Sequence, residues 1–455
     1  MQKIKLEGSN MNDKDLNMTD FNEEEKQTEN VCMNWEQVEV KKEGFWEKHK
    51  YGIGVFTGMF SIILALVVAY TAITASGTLL VIGGGKVHPV PESYVLDEKA
   101  VAKINEIYSY MYLYYYEDFA VEDVQELMYK GVMAGLDDPY SVYYTASEYE
   151  DLKISTSGVF CGIGAALSQN VNTMEVTISK VYKGTPAEEA GLKDGDRIVK
   201  VEDIEATSMV LDKLVQNVRG EEGTSVHLQV YRESTGEILE FDVVRRKVEL
   251  PSIEGEMLEG QIGYVQITDF QEKTAEQFKT MVSQLEEEGM QGLIVDLRAN
   301  PGGLLTSVNE ILDRILPEGL LVYTEDKYGN RAEYSSDAVC MDIPFVVLVD
   351  ENSASASEIF AGAIKDYEYG TLVGTTTFGK GIVQNIIPLS NGDAIKLTTS
   401  KYFTPNGNYI HEVGVEPDVV IEYEYSGPTD QPYDKQYDNQ FLKAVEIMKE
   451  QLANE

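Results

Sequence analysis

The sequence predicts a multidomain α/β chain carrying one N-terminal transmembrane helix. Two stretches of its second half share one layout. "GLIVDLRANPGGLLTSVNEILDRIL" reads as a buried strand, a turn holding Gly302 and Gly303, and a helix with Leu304, Val308, Ile311, Leu312 and Ile315 on one face. "PFVVLVDENSASASEIFAGAIKDY" reads as a second buried strand, a polar turn, and a helix with Ile359, Phe360, Ala363 and Ile364 on one face. Units of this kind pack as parallel neighbours, and both turns then open on the same sheet edge, where binding crevices form. The third observation is the uncharged run Tyr51–Ala75, which is long enough to span a bilayer.

Taken in order, residues 1–50 are polar, acidic and without periodicity, so a disordered tail is expected. Residues 51–75 are the expected anchor. Lys41, Lys42, Lys48 and Lys50 precede it, whereas Lys86 and then acidic residues follow. That asymmetry places the N-terminus in the cytoplasm and the rest of the chain outside the cell membrane. A cleaved signal peptide is the alternative, because "AITASG" offers small residues; the long preceding tail favours a retained anchor. Residues 76–150 are a connector followed by helices, with Val101, Ile104, Ile107, Tyr108 and Met111 at helical spacing, then Val121, Val124, Leu127 and Met128. Tyrosines crowd Tyr108–Tyr116 and form either a packed face or a partner surface. "GLDDPYSVYYT" closes the stretch with turn residues.

Residues 151–248 alternate as short strands, for example "MEVTISKVY" and "VHLQVYRE". Thr185 is placed to cap a short helix, with Pro186 at its first position and Glu188 three residues on. "GVFCGIGAAL" and "PAEEAGLKDGDRIVKV" make this segment resemble a PDZ domain. The resemblance implies that backbone N–H groups of Gly162, Ile163 and Gly164 bind a peptide's C-terminal carboxylate. The peptide then adds as a strand to the sheet edge. Residues 249–425 hold the two strand–turn–helix units, and 426–455 end in a helix with Phe441, Ala444, Val445 and Met448 on one face.

Composition narrows the function. There are 77 acidic against 37 basic side chains, a net charge of −40. Nucleic acid is therefore excluded as a partner. Three scattered cysteines and four histidines, without an H-E-x-x-H pair, point to no metal and no cofactor.

Two motifs carry the chemistry. "NSASASE", Asn352–Glu358, alternates serine with alanine at a helix start, where unpaired N–H groups and positive potential suit a developing oxyanion. A serine hydroxyl there needs a base. His411 lies in a polar stretch and reads as a surface residue. Lys380 in "GTTTFGKG" lies between β-branched apolar runs, and a desolvated lysine can act as a base. The same octapeptide approximates a phosphate-binding loop, but that loop requires a following helix, and "GIVQNIIPL" is strand-like.

Together "NSASASEIFAGAIKDY", "GTTTFGKGIVQ", "DLRANPGG" and "YFTPNGNYIHEVGVEPD" closely resemble the carboxyl-terminal processing proteases, over residues 95–425. The resemblance implies a crotonase/ClpP-like α/β protease core with an inserted PDZ domain. It implies Ser355 as nucleophile, Lys380 as general base and Gln384 as the residue that orients the lysine; in a strand the last two would share a face. The oxyanion hole would be the N–H of Ala356 and of Gly303, with Gly302 as the alternative. Ser353 and Ser357 read as cap and packing residues, and Asp296 with Arg298 as a brace for the Gly-rich turn. The expected partners are proteins or peptides with apolar C-termini, the cytoplasmic membrane through one helix, and a second copy held by N- and C-terminal helices. A non-catalytic PDZ-type scaffold at the membrane is the competing reading.

Overall fold

The computed structural model describes residues 80–83, 86–89, 96–428 and 433–454. The expected tail, 1–50, and the apolar run Tyr51–Ala75 lie outside the described residues. Among the described residues, no helix is long and apolar enough to cross a membrane. β1 (Leu80–Gly83) and β2 (Lys86–Pro89) form an antiparallel hairpin. The two forecast helices follow as α1 (Glu98–Tyr114) and α2 (Val121–Ala134). Neither has a buried residue among the described residues. Tyr112, Tyr114 and Tyr116 are 73%, 76% and 85% exposed, so the tyrosine-rich run is not a packed face there.

From α2 a turn at Asp137–Ser141 leads into β3 (Val142–Tyr144) and α3 (Ala146–Ser157). Thr145 and Glu148 close a capping box at the start of α3, and Gly158 ends it in the left-handed region at φ 70°.

The alternating segment forms β4 (Val159–Gly162), β5 (Ala165–Gln169), β6 (Val176–Val181), α4 (Pro186–Ala190), β7 (Arg197–Val201), β8 (Ile204–Glu205), α5 (Leu211–Val218), β9 (Ser225–Arg232) and β10 (Glu237–Val244). The sheet runs β10-β9-β7-β6-β5, with β8 beside β7. Val226, Leu228 and Val230 alternate inward from β9 and are fully buried with Ile178 and Leu214. β11 (Arg246–Glu249) then pairs antiparallel with β4, so the insert leaves and rejoins the chain at one two-stranded stalk.

The last part contains β12 (Ile253–Leu258), β13 (Ile262–Ile267), α6 (Thr274–Glu287), β14 (Gly292–Asp296), α7 (Leu305–Ile315), β15 (Gly319–Asp326) and β16 (Arg331–Ser336). It continues with β17 (Phe345–Val349), α8 (Ala356–Asp366), β18 (Thr371–Gly374), β19 (Ile382–Pro388), β20 (Ala394–Phe403), β21 (Val419–Val420) and α9 (Asn439–Asn454). One sheet runs β12-β13-β14-β17-β18-β21, parallel from β13 onward. Every residue of β14 and β17 is buried, as unbroken apolar runs require when both sheet faces are covered. Leu293 and Val295 meet the apolar faces of α6, α7 and α8, while Ile294, Val346 and Leu348 meet Phe441, Ala444 and Met448 of α9.

That packing corrects one expectation. The apolar face of α9 is not free for a second copy, because it covers the chain's own parallel sheet. A second sheet runs β16-β15-β20-β19, and β3 pairs antiparallel with β20, Val142 opposite Lys396. Tyr143 Oη also donates to Asp393. Residues before the insert thus complete a sheet built after it.

Candidate active site

β17 delivers the chain into "NSASASE", and α8 begins at Ala356. Ser355 sits between them at φ 54°, a left-handed conformation that a non-glycine residue adopts only under constraint. The constraints are visible. Ser353 Oγ donates to Leu297 O at 2.9 Å and Ser357 Oγ to Asn300 O at 3.0 Å, both buried. Tyr402 Oη donates to Ser355 O at 3.1 Å, and Ser355 N–H donates to Glu358 Oε2 at 2.8 Å. The outer serines therefore act as packing residues, as their spacing forecast, and Ser355 lines a cavity of about 520 Å³.

The Gly-rich turn after β14 closes against this serine. A Cβ on Gly302 would lie 2.8 Å from Ser355 Cβ and 2.9 Å from Ala356 N. Gly302 N–H donates to Asn300 Oδ1 at 2.8 Å, whereas Gly303 N–H has no partner among the described residues. Ala356 N–H opens α8 and is likewise without one. Of the two glycines, Gly303 is thus the one with a donor to offer. Asp269 stands beside it, 2.9 Å from where a Gly303 Cβ would be, and burial pushes its carboxyl above the usual range. Nothing in the local sequence marks Asp269.

Arg298 braces the turn as forecast, through a bidentate contact with buried Asp296. It also donates to Asp438 at 2.8 Å and Gln440 at 3.1 Å, at the start of α9.

Lys380 follows β18 and precedes β19, so a strand and not a helix comes after it. This disposes of the phosphate-loop geometry. Lys380 lines the same cavity as Ser355. Burial, and then the charge of Lys396, depress its amine below the ordinary lysine value, against the opposing pull of Glu358 and Asp138. Glu358, fully buried, was not singled out by the sequence. Its Oε1 accepts from Thr377 Oγ1 at 2.7 Å and Gly379 N at 2.6 Å; its Oε2 accepts from Lys380 N and Ser355 N, both at 2.8 Å. One carboxylate therefore joins the backbone of the serine to that of the lysine.

Gln384 departs from its forecast. Lys380 lies outside β19, in the loop before it, so strand parity does not relate the two. The Gln384 amide donates to Thr398 Oγ1 at 3.2 Å, and Gln384 lines the cavity that Lys380 also lines. His411 is half-buried and not a plain surface residue: its Nδ1 accepts from Gly381 N–H at 3.3 Å.

In the insert, β5 is the sheet edge and α5 flanks it, enclosing a groove of about 380 Å³ that reaches Gly162 and Ile163. Ile163 and Gly164 N–H have no partner among the described residues, while Gly162 lies in the β4–β11 ladder. Thr185 holds the N-cap position of α4 with Pro186 first in the helix, but its side chain makes no cap hydrogen bond. Its hydroxyl donates to Gly164 O at 3.1 Å and Tyr182 O at 2.6 Å, and Glu188 instead accepts from Gly184 N–H. Gly164 has φ +80°, and a Cβ there would lie 2.3 Å from Thr185 Cβ. Gly164→Ala is therefore expected to cost about 1–3 kcal/mol of local stability. Calorimetric titration with a peptide ending in an apolar residue should read weaker binding by about tenfold.

Among the described residues no group of His, Cys, Asp and Glu could hold a metal ion. A helix-start serine, a half-buried lysine and two backbone donors around one cavity define a serine-hydrolase type of site. Residues 261–421 match the model of peptidase family S41, and residues 177–232 match a PDZ domain. The chain is 34% identical over 313 residues to a carboxyl-terminal-processing protease of Synechocystis sp., covering 66% of this chain and 73% of that one. It is 34% identical over 361 residues to the carboxy-terminal processing protease CtpB of Bacillus subtilis, covering 77% and 75%. It matches the solved photosystem II D1 C-terminal processing protease at 28% identity and a TM-score of 0.42, covering 74% and 89%. The chain belongs to peptidase family S41 and is a serine protease of the carboxyl-terminal processing group.

Proposed function

We propose that this chain is a membrane-anchored endopeptidase that cleaves extracytoplasmic proteins with a Ser355–Lys380 dyad. The observation that carries the reading is the Glu358 bridge, which holds the backbones of both residues so that both side chains open into one cavity. Neutral Lys380 takes the proton from Ser355 Oγ as that oxygen bonds to the scissile carbonyl carbon. The N–H groups of Gly303 and Ala356 receive the oxyanion. The ammonium then protonates the leaving amine, and water releases the acyl group. Gln384 contributes from the cavity wall.

Substrate geometry follows from β19. Five consecutive residues, Ile382–Ile386, line the cavity. Successive side chains alternate in direction, so a cavity touched by all five runs along the strand's edge. β19 is the terminal strand of its sheet. An extended peptide can add there by main-chain hydrogen bonds while the PDZ groove takes its apolar C-terminus at Gly162, Ile163 and Gly164. α3 separates the two, with Ile154 and Ser155 on the groove and Leu152 and Thr156 on the cavity. Peptide binding in the groove would thereby align the catalytic groups. The exposed face of α2 suits a homodimer, and Tyr51–Ala75 with its basic flank suits a retained anchor with the catalytic part outside the cell.

A serine-reactive phosphonate tests the assignment directly. Mass spectrometry should find the adduct on Ser355 in the parent chain and none in Lys380→Ala. An adduct elsewhere would reassign the nucleophile, and no adduct with no hydrolysis by the parent would turn the reading into that of a binding scaffold.

A pH profile tests the electrostatics. The positive charge of Lys396 helps to depress Lys380. Its removal in Lys396→Met raises the Lys380 pKa, so less of the neutral base exists at a given pH. The acid limb of kcat/KM should move to higher pH by a fraction of a unit to one unit, on the order of a single nearby charge.

A further inference from the structure

Lys380 has no ion-pair partner among the described residues, yet the dyad requires a place for the ammonium that forms when Ser355 loses its proton. The two carboxylates that act on it are already engaged. Glu358 holds the four donors described above. Asp138 Oδ1 accepts from Tyr140 N at 3.0 Å, and Asp138 Oδ2 accepts from Ser141 Oγ at 2.6 Å. What does face the amine is a ring. Lys380 Nζ lies over Tyr140, 4.7 Å from the ring centroid, within the range over which an aromatic face attracts a cation.

The position of that ring is fixed from several sides. Asp138 pins the turn, Ser141 Oγ accepts from Thr398 N at 3.0 Å, and β3 continues the turn into the ladder with β20. The Tyr140 hydroxyl has no partner among the described residues, so the ring face rather than the hydroxyl is what the turn presents. Four residues on, Tyr144 lies under Lys396 Nζ at 5.6 Å, so the segment sets one ring against each cavity lysine.

We infer that Tyr140 is a positioning residue for the proton transfer, its ring holding the Lys380 amine and receiving it as an ammonium. The inference rests on the Ser355–Lys380 reading. A carboxylate at this place would keep the lysine protonated at rest. A ring attracts the cation more weakly and also excludes water. The base can therefore stay proton-poor between turnovers and still accommodate the proton when Ser355 Oγ releases it. The charged groups around the pair are Lys396 on β20, Glu358 on α8, Asp138 in the same turn, and His411 with Glu412 in the following loop, which act on Asp138 and Tyr140 respectively.

The experiment is kcat and KM against pH for the full chain, with a fluorogenic peptide ending in an apolar residue. Tyr140→Leu keeps bulk but removes the ring, leaving a weaker base. Its kcat should fall about two- to thirtyfold at unchanged KM, and its acid limb should move to lower pH. Tyr140→Ala admits water, so its limb should move the opposite way. Tyr140→Phe should rescue most of the rate. Fluorinated phenylalanines introduced at position 140 keep the shape of the ring while draining its negative face, and should lower kcat in steps. A flat fluorine series, or Leu and Ala limbs that shift together or not at all, overturns the inference if Lys380→Ala is inactive in the same assay. Parental activity in Lys380→Ala overturns the dyad itself, and the inference with it.

Discussion

Lys380→Met should hydrolyse peptide at least about 10⁴-fold more slowly than the parent, with KM little changed. Removing either partner of a nucleophile–base pair abolishes the step that both serve. Ser355→Ala should lose as much, and the double variant should lose no more than either single one, since the two act as a unit. Methionine suits the test because it fills the half-buried lysine site without a base. The fold should survive: Lys380 side-chain atoms make no ion pair among the described residues, and its backbone N–H to Glu358 is kept. Steady-state kinetics alongside thermal unfolding decide the matter. Equal unfolding midpoints with retained hydrolysis would remove Lys380 from the mechanism.

Glu358→Gln is the second large effect. The carboxylate accepts from Ser355 N, Lys380 N, Gly379 N and Thr377 Oγ1. A glutamine offers one acceptor oxygen and turns two N–H donors toward groups that are donors themselves. At least two buried donors lose their partner, each at about 1–3 kcal/mol. Stability should fall by roughly 2–5 kcal/mol in urea unfolding. The rate should fall further than stability implies, by about 10²-fold at temperatures where the variant is folded, because a displacement near 1 Å misaligns serine and lysine. Asp in place of Glu keeps the charge but shortens the arm, and should not restore the rate.

What could be read from the sequence follows the range of the interactions involved. The strand–turn–helix units were legible because "GLIVD" and "FVVLV" are unbroken apolar runs, and such runs fit a sheet covered on both faces. Ser355 and Lys380 were legible because short motifs carry them. Glu358 was not: a glutamate three residues after a helix-start serine reads as an ordinary cap, and its further role depends on Thr377–Lys380 folding back onto it. The Gln384 parity argument failed because Lys380 lies before the first residue of β19, where strand alternation does not hold. Thr185 has the spacing of a cap, yet Gly164 lies near enough to take its hydroxyl. The apolar stripe of α9 was real, but a stripe does not say whether its own sheet or another copy will cover it. Tyr140 reaches Lys380 across a long stretch of chain, which no local pattern encodes.

The placement of α9 bears on when the enzyme comes to life. During synthesis the parallel sheet emerges with one face uncovered. Phe441, Ala444 and Met448 are needed to seal that face, and Asp438 to receive Arg298. Both arrive long after Ser355 and Lys380 have left the ribosome. A nascent chain therefore completes the cover of its parallel sheet only after its reactive residues have been made.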